Sequence, residues 1–574
     1  DETFIDPNAA ALRIFDVSSL GGTARGQVVN TPPPFDVMAG KIGQVFGLAF
    51  DDGKREDTEE IIPNLYATAT SLHGIQIVED DTDEDGRPER LRRGKAGARF
   101  MEAQFGADAE PGSIWKIDGR TGEVTLFATI QGNSGAGLGN IAFDKRNRQL
   151  LVSDIETGKI HRIGLDGFIN GSFDHGENGR PSAGAEPVAD DGAVMDIAGG
   201  AFDSEDAETW GYTQAERRVW GVAVHRNRLY YAVEDKLQIW SVGIGRDGQF
   251  LADARWELDV KAEKDYPVTD IAFDKRGFMY LAQRGTIENR YDYSRFAKSG
   301  KGEVMRYFKE KPDDPATPSV WVETPQTYAT GFPNGHQQTA GGIDLQYGYD
   351  AEGFINRDAC DATLFKSGDN LRDNADLIER LGPDGPVIVH GAQLTPVAQV
   401  RPANQPPFGS WFFDFDATFE DPEVRGHIGD VEVYRPCAGG RGAGSSGYPG
   451  YGEPWEYPGK IPDTKSACAK VEDIVYECAP DGSLIADLYL AGEGGVGSDS
   501  LKTTSRSPGI NVSPTMQTQP VAGIPFTLNL DGTWPGDRVR LGLCLYKSSD
   551  ARKGGYFPCC KVNITIKTPP TMCR

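Results

Sequence analysis

Asn140-Ile-Ala-Phe-Asp-Lys-Arg-Asn-Arg-Gln-Leu-Leu-Val-Ser-Asp154 is an apolar stretch, a polar turn and a second apolar stretch. It returns as Asp270-Ile-Ala-Phe-Asp-Lys-Arg-Gly-Phe-Met-Tyr-Leu-Ala-Gln-Arg284, and more loosely as Trp220-Gly-Val-Ala-Val-His-Arg-Asn-Arg-Leu-Tyr-Tyr-Ala-Val-Glu234. Apolar runs of this length on either side of a turn read as a β-hairpin. A hairpin that recurs along a chain is the sequence signature of a β-propeller, because one blade cannot bury both of its faces alone.

Working outward, Val45-Phe-Gly-Leu-Ala-Phe50 with Asn64-Leu-Tyr-Ala-Thr68 predicts a first inner hairpin, and Ser113–Asp118 with Gly122–Phe127 its outer pair. Later blades are expected to start at Gly139, Trp220, Thr269 and Gly341. Residues 166–215 read as one long excursion, and Ser319–Val322 as an outer strand of the fourth blade. A sixth blade is expected to begin at Ser410-Trp-Phe-Phe-Asp-Phe-Asp416 and to continue with Gly429–Tyr434, two strands short. Leu12–Val17 and Gly26–Asn30 stand in surplus at the other end. Pairing of the two ends would close the ring and remove an open sheet edge. The expected fold class is therefore all-β: a β-propeller, six-bladed or seven-bladed, closed by N-terminal strands. The head of the chain is expected to share a sheet with the region near residue 430.

Residues 1–437 form the expected propeller. Residues 438–465, rich in Gly, Pro and Tyr, read as a linker. Residues 466–574 carry strand patterns at Phe526–Leu530, Arg538–Leu545 and Cys560–Ile566, with Pro and Gly between them, which suggests a small Cys-rich β-sandwich. The eight cysteines are Cys360, Cys437, Cys468, Cys478, Cys544, Cys559, Cys560 and Cys573. Their even number, without Cys-x-x-Cys, fits disulfides in an oxidising compartment; zinc is the alternative.

The formal net charge is −26, from 85 acidic and 59 basic residues, which opposes binding to nucleic acid or anionic membrane. It suits calcium and solubility outside the cell. No apolar run approaches the roughly 18 residues of a membrane span. The sequence opens at Asp1 without a basic-then-apolar leader, the expectation being a secreted or surface protein whose signal peptide has been removed.

Asp81-Thr-Asp83-Glu-Asp85-Gly86-Arg-Pro-Glu89 is the sharpest local motif. Alternating carboxylates, a glycine for the turn and a fourth acid at position nine can wrap hard oxygens around one calcium ion. Its plainer reading is a solvated acidic loop. The seven histidines are dispersed, with no His-x-x-x-His, and no Gly-x-Ser-x-Gly occurs, so no catalytic set is assigned. Asn334-Gly-His336 precedes the fifth blade as a turn or a channel-mouth residue, and Asn170 and Asn563 head glycan-acceptor triplets.

The stretch His427-Ile-Gly-Asp-Val-Glu-Val-Tyr-Arg-Pro-Cys437 and the blade-start hairpins resemble propeller segments of bacterial secreted and cell-surface proteins, in which small β-modules follow the propeller. That resemblance implies a surface-attached or secreted role and brings no catalytic residues. The architecture is also similar to calcium-dependent lactonases and gluconolactonase-like hydrolases, whose channel metal is held from inner strands. Asn140, Asp270 and Asp344 stand at the blade starts where such ligands would lie. The leading expectation is a binding or assembly protein, calcium-stabilised, that meets a protein partner or another copy of itself through its C-terminal domain. The alternative is a calcium-dependent lactone or ester hydrolase. A third reading is carbohydrate binding through Trp220, Tyr230 and Trp411, set against packing of these rings in the core.

Overall fold

Each copy of the opening motif forms the two innermost strands of a four-stranded antiparallel sheet. In this computed structural model the described residues are 4–434, apart from 55–60, 276, 292–294, 310–320, 334, 375–376, 378–386, 402–404 and 420–423; beyond them, strands at 470–478, 484–491, 500–505, 511–513, 516–518, 526–531, 538–546 and 560–567 are described. The chain divides into two compact units, residues 1–307 with 323–444, and residues 308–322 with 445–574.

In the first unit, sheet 1 is Val45–Phe50, Leu65–Ala69, Ser113–Ile117 and Val124–Thr129; sheet 2 is Leu138–Asp144, Gln149–Asp154, Lys159–Gly164 and Ile169–Asp174. Sheet 3 is Val219–His225, Arg228–Val233, Gln238–Gly243 and Arg255–Asp259; sheet 4 is Val268–Phe273, Met279–Gln283, Val304–Tyr307 and Gln326–Tyr328. Sheet 5 is Thr339–Gln346, Thr363–Gly368, Gly391–Pro396 and Trp411–Asp414. The strands within each sheet follow chain order, and the first strands of consecutive sheets lie against one another. This is a β-propeller-like arrangement.

The sheets pack because both faces of each are apolar. Tyr66, Ile114, Leu138, Ile141 and Leu150 form one core between sheets 1 and 2. Leu151, Val222, Tyr231 and Trp240 form the next, between sheets 2 and 3, and Tyr280, Tyr328, Leu345 and Leu364 join sheets 4 and 5. Each such side chain contributes roughly 1.5–3 kcal/mol by leaving water. The aspartates that close the inner strands serve the turns. Asp51 accepts from the Gly53 and Asn64 amides, and Asp144 from those of Arg146 and Asn147.

Residues 430–434 stand between sheets 5 and 1. The Leu48 amide donates to Asp430 Oδ2 at 2.9 Å, and the Val433 amide to Asp344 Oδ2 at 2.8 Å. The Phe50 and Tyr434 rings meet at 5.7 Å. The N-terminal segment supplies a two-stranded sheet, Ala10–Ile14 with Phe35–Met38, and Phe15 and Val17 share a core with Val431 and Val433.

Several assignments made from sequence are corrected. Residues 411–414 do not begin a sixth sheet; they are the outer strand of sheet 5, paired with Gly391–Pro396. Residues 26–29 run along that outer strand, with the Val29 amide donating to the Phe412 carbonyl at 2.7 Å and the Phe412 amide to that of Gln27 at 3.0 Å. The head of the chain thus meets residues 410–415, while residues 430–434 reach sheets 5 and 1. Residues 166–215 are not all excursion, since Ile169–Asp174 completes sheet 2. The outer strand of sheet 4 is Gln326–Tyr328, later than the expected Ser319–Val322.

In the second unit, Lys470–Cys478, Leu484–Ala491, Phe526–Asp531 and Asn511–Ser513 form one antiparallel sheet. Met516–Thr518, Ser500–Ser505, Arg538–Tyr546 and Cys560–Lys567 form another. Val539, Leu541 and Leu543 are buried, the period-two alternation of a sheet with one covered face. Cys360 is disulfide-bonded. Residues 438–465 and Cys437, Cys468, Cys559 and Cys573 lie outside the described residues. Among the described residues no helix is long and apolar enough to cross a membrane.

A Cβ added at Gly342 would lie 2.6 Å from the Asp430 Cα, against backbone that cannot yield, whereas one at Gly200 meets nothing within 4 Å. Gly342→Ala is therefore expected to destabilise the fold by about 2–3 kcal/mol, the usual cost of overpacking, and Gly200→Ala to be near neutral. Calorimetric unfolding of the two variants checks this.

Candidate functional site at the ring axis

The first strand of each of these five sheets slips register near its start, ahead of Leu48, Ile141, Val222, Asp270 and Ile343. Asp430 ahead of Val431 corresponds to Asn140 ahead of Ile141 and Asp270 ahead of Ile271, which gives six such positions. Read around the ring these six are Gly47, Asn140, Gly221, Asp270, Gly342 and Asp430, so a glycine alternates with a carboxamide or carboxyl. The glycines are needed because each neighbouring strand comes too close for a side chain. A Cβ at Gly47 would lie 2.9 Å from the Asn140 Cα, and one at Gly221 would lie 2.9 Å from the Asp270 amide.

The polar three converge. Asn140 Nδ2 donates to Asp270 Oδ1 at 3.3 Å. The Asp430 carboxyl lies beside that of Asp270. Asp270 Oδ2 also accepts from the Ile343 amide at 2.7 Å. Burial, and then the charge of Asp430, hold Asp270 well above the usual carboxylate range. Burial, and then Glu432, do the same for Asp430. Of the three residues expected at a channel metal, Asn140 and Asp270 are brought together. Asp344 instead bonds the amides of Leu345 and Val433. The third axial group is Asp430. Its signal was present in the sequence, since Gly429-Asp430-Val431 has the form of Gly139-Asn140-Ile141.

In an antiparallel sheet, successive connections leave from alternate ends. The links between second and third strands therefore emerge at the same end as those that enter the first strands, and at this end they roof the axis. His73 lies between the rings of Phe46 and Trp220, at 5.8 and 5.9 Å. It is buried, with neither ring nitrogen hydrogen-bonded, and burial holds its pKa well below the ordinary value. The Arg284 guanidinium stands 5.3 Å from the centre of the Phe46 ring and donates to the carbonyls of Ala340, Ile428 and Gly426. Burial lowers its pKa to about 10. The roof is pinned in turn: Tyr212 donates to the Leu72 carbonyl at 3.0 Å, and Asn289 to that of Ile75 at 3.3 Å.

The acidic loop lies on a hairpin, Ile77–Glu79 with Glu89–Leu91, inserted between the second and third strands of sheet 1. Asp81 accepts from the Glu84 and Gly86 amides, and Glu89 from Thr82. Carboxylate oxygens of Asp81, Asp83 and Glu89 lie within 4.8 Å of one another. Asp85 is turned to the Arg87 amide, at 2.8 Å, and is outside that group. These oxygens are of the kind calcium takes. His336 bonds the Gly331 carbonyl at 2.9 Å, and Asn334 lies outside the described residues. Trp220, Tyr230 and Trp411 are buried, which removes them as a carbohydrate platform.

No family model matches this sequence, and no curated protein matches it. Among solved structures, a chain of a nidogen/laminin complex aligns at 12% identity over 69% of this chain and 95% of its own, with a TM-score of 0.30. Regucalcin from Agrobacterium tumefaciens, titled a calcium-binding protein, aligns at 13% identity over 70% and 99%, with a TM-score of 0.28. A putative 6-phosphogluconolactonase from Bacteroides uniformis aligns at 11% over 84% and 87%, again at 0.28. These are propeller-like proteins. The likeness is of that general kind and points to no one family.

Carboxyls whose folded pKa lies above the unfolded value stabilise the fold at low pH, and that contribution is lost as pH rises from about 4 toward the folded value. In metal-free buffer, stability is therefore expected to fall from pH 5 to pH 8 by an amount that Asp430→Asn reduces. Denaturant melts of both proteins across that range measure it.

Proposed function

We propose that the chain is a six-bladed propeller whose sixth blade is made by residues 430–434 and the N-terminal strands, and that it works as a binding and assembly scaffold outside a bacterial cell. Six is preferred to seven because one extended stretch separates sheet 5 from sheet 1. The second unit is read as a disulfide-stapled β-sandwich that docks a protein partner or another copy. Calcium at Asp81, Asp83 and Glu89 would brace the acidic hairpin, with Asp85 at its margin.

The observation that carries this reading is the use made of the axial groups. Asn140, Asp270 and Asp430 are engaged with one another and with amides of neighbouring sheets, beneath buried His73, Trp220 and Arg284. A hydrolase needs such groups free at an open mouth. A scaffold needs them for rigidity.

A second reading, a calcium-dependent lactone or ester hydrolase at the channel, is favoured by the convergence of two carboxyls and a carboxamide at the axis. A cation taken there would meet oxygens from all three side chains. Lewis-acid polarisation of a carbonyl is the chemistry it would supply.

The full-length protein, assayed on a panel of lactones and aryl esters with calcium and with chelator, is expected to give no turnover above buffer. Calcium at roughly 100 times its Kd is expected to add about 2.7 kcal/mol of stability, and Asp81→Asn with Asp83→Asn to remove that gain. Turnover abolished both by chelator and by Asp270→Asn would sink the scaffold reading in favour of the hydrolase.

A further inference from the structure

Cys360 is disulfide-bonded. It lies in the link that joins the first and second strands of sheet 5, at the end of the ring away from the roof. The Gly348 amide donates to the Ala359 carbonyl at 2.6 Å, and the Ala362 amide to that of Gln346 at 2.9 Å. These two bonds hold Cys360 across from Tyr347, three residues beyond Asp344.

The closing stretch heads for the same end. Asp430 lies against Gly342 and the Val433 amide against Asp344, so the stretch runs in the direction of Thr339–Gln346. It keeps that direction beside sheet 1, with Asp430 at Leu48 and Tyr434 at Phe50. Val431 and Val433 share a core with Tyr349 of the link that carries Cys360. Cys437 follows Val433 by four residues, much as Tyr347 follows Asp344 by three. The chain from Tyr434 to Cys437 can span about 10 Å, and it is directed to the level of Cys360. Of the eight cysteines, Cys360 and Cys437 belong to the first unit and the other six to residues 445–574 of the second. Both numbers are even, so pairing within each unit leaves no thiol over.

We propose that Cys360 is bonded to Cys437, and that this disulfide clasps the closing stretch to sheet 5. The proposal rests on the closure reading given above, in which residues 430–434 help to complete the sixth blade. With no covalent tie the stretch is the tail of its unit, where fraying concentrates. The bond forms by exchange with a disulfide donor. One cysteine thiolate attacks the donor and the second then displaces it, so that two protons and two electrons leave the pair as the donor becomes a dithiol. Donors of this class work in oxidising compartments. A bond between residues 360 and 437 closes a long loop, and the freedom it removes from the unfolded chain grows with loop length.

Tryptic mapping of the full-length chain, prepared under oxidising conditions and alkylated without reduction, tests the pairing. Peptides 358–366 and 426–441 carry these two cysteines and no other, since Arg435 precedes a proline and is not cut. They are expected as one cross-linked species that reduction separates. Cys360 joined to any of the six other cysteines, or recovered alkylated, would overturn the clasp. Its effect is read from melting and hydrogen exchange of the wild type and of the double variant Cys360→Ser, Cys437→Ser. The variant is expected to melt roughly 5 °C lower and to exchange its Leu48 and Val433 amides about tenfold faster, with the amides of sheet 3 unchanged. Exchange of these two amides at the wild-type rate would overturn the clasp while leaving closure through Asp430 standing. Fast exchange of both in the oxidised wild type would overturn the closure reading, and the clasp with it. The map is made on the wild-type chain, so it decides the pairing whether or not the variant folds.

Discussion

The Asp430 carboxyl carries the closure of the first unit. It accepts the Leu48 amide of sheet 1 and lies beside Asp270 of sheet 4. Its backbone lies against Gly342 of sheet 5. Sheets packed radially leave their inner edges crowded at the axis, where amide and carbonyl groups have few partners and no room for water. Alternating glycine with Asn or Asp meets both constraints, since the glycines let strands approach and the polar side chains reach across to orphaned amides. Hydroxyls repeat the device one step outward. Thr68 donates to the Gly139 carbonyl, Ser153 to that of Trp220 and Thr269 to that of Gly341.

A rigid axis leaves variation to the connections. At one end they lengthen into the acidic hairpin and the 175–218 excursion, knitted together by Arg92, Arg93 and Asp203. At the other, the turns of sheets 2, 3 and 4 stay short, while the links of sheets 1 and 5 run over residues 51–64 and 347–362. The aspartate of the repeated motif stabilises its turn from inside, Asp144 accepting from the amides of Arg146 and Asn147.

The inner hairpins were legible because continuous apolar runs of strand length on either side of a turn leave a strong local signal, and the repeated Ala-Phe-Asp fixed their phase. The outer strands were not. Ile169–Asp174 is largely exposed and contains Asn170, Gly171 and Ser172, so composition argued for a loop. Its pairing with Lys159–Gly164 comes from tertiary context. Trp411–Asp414 was placed in the wrong sheet because a strongly apolar run looks alike at the inner and the outer end of a blade. At the site, Asn140 and Asp270 could be picked out by their position in the repeat. Asp344 lies one residue past Ile343, and its carboxylate accepts from the Val433 amide. Asp430 was passed over because its strand had been counted as a later member of another blade.

Leu48 and Asp430 are 382 positions apart, and the bond between them completes the circle. Contacts of such long sequence separation form late and slowly, because the loop between them must be ordered first. During synthesis sheets 1 to 5 would stand as an open arc, each end presenting unpaired backbone, until the closing stretch has been made. Such an arc can add a strand from a neighbouring nascent chain as readily as its own. Chaperone binding that delays collapse until the closing stretch is available would therefore protect the yield of this protein more than any gain in the stability of its individual sheets.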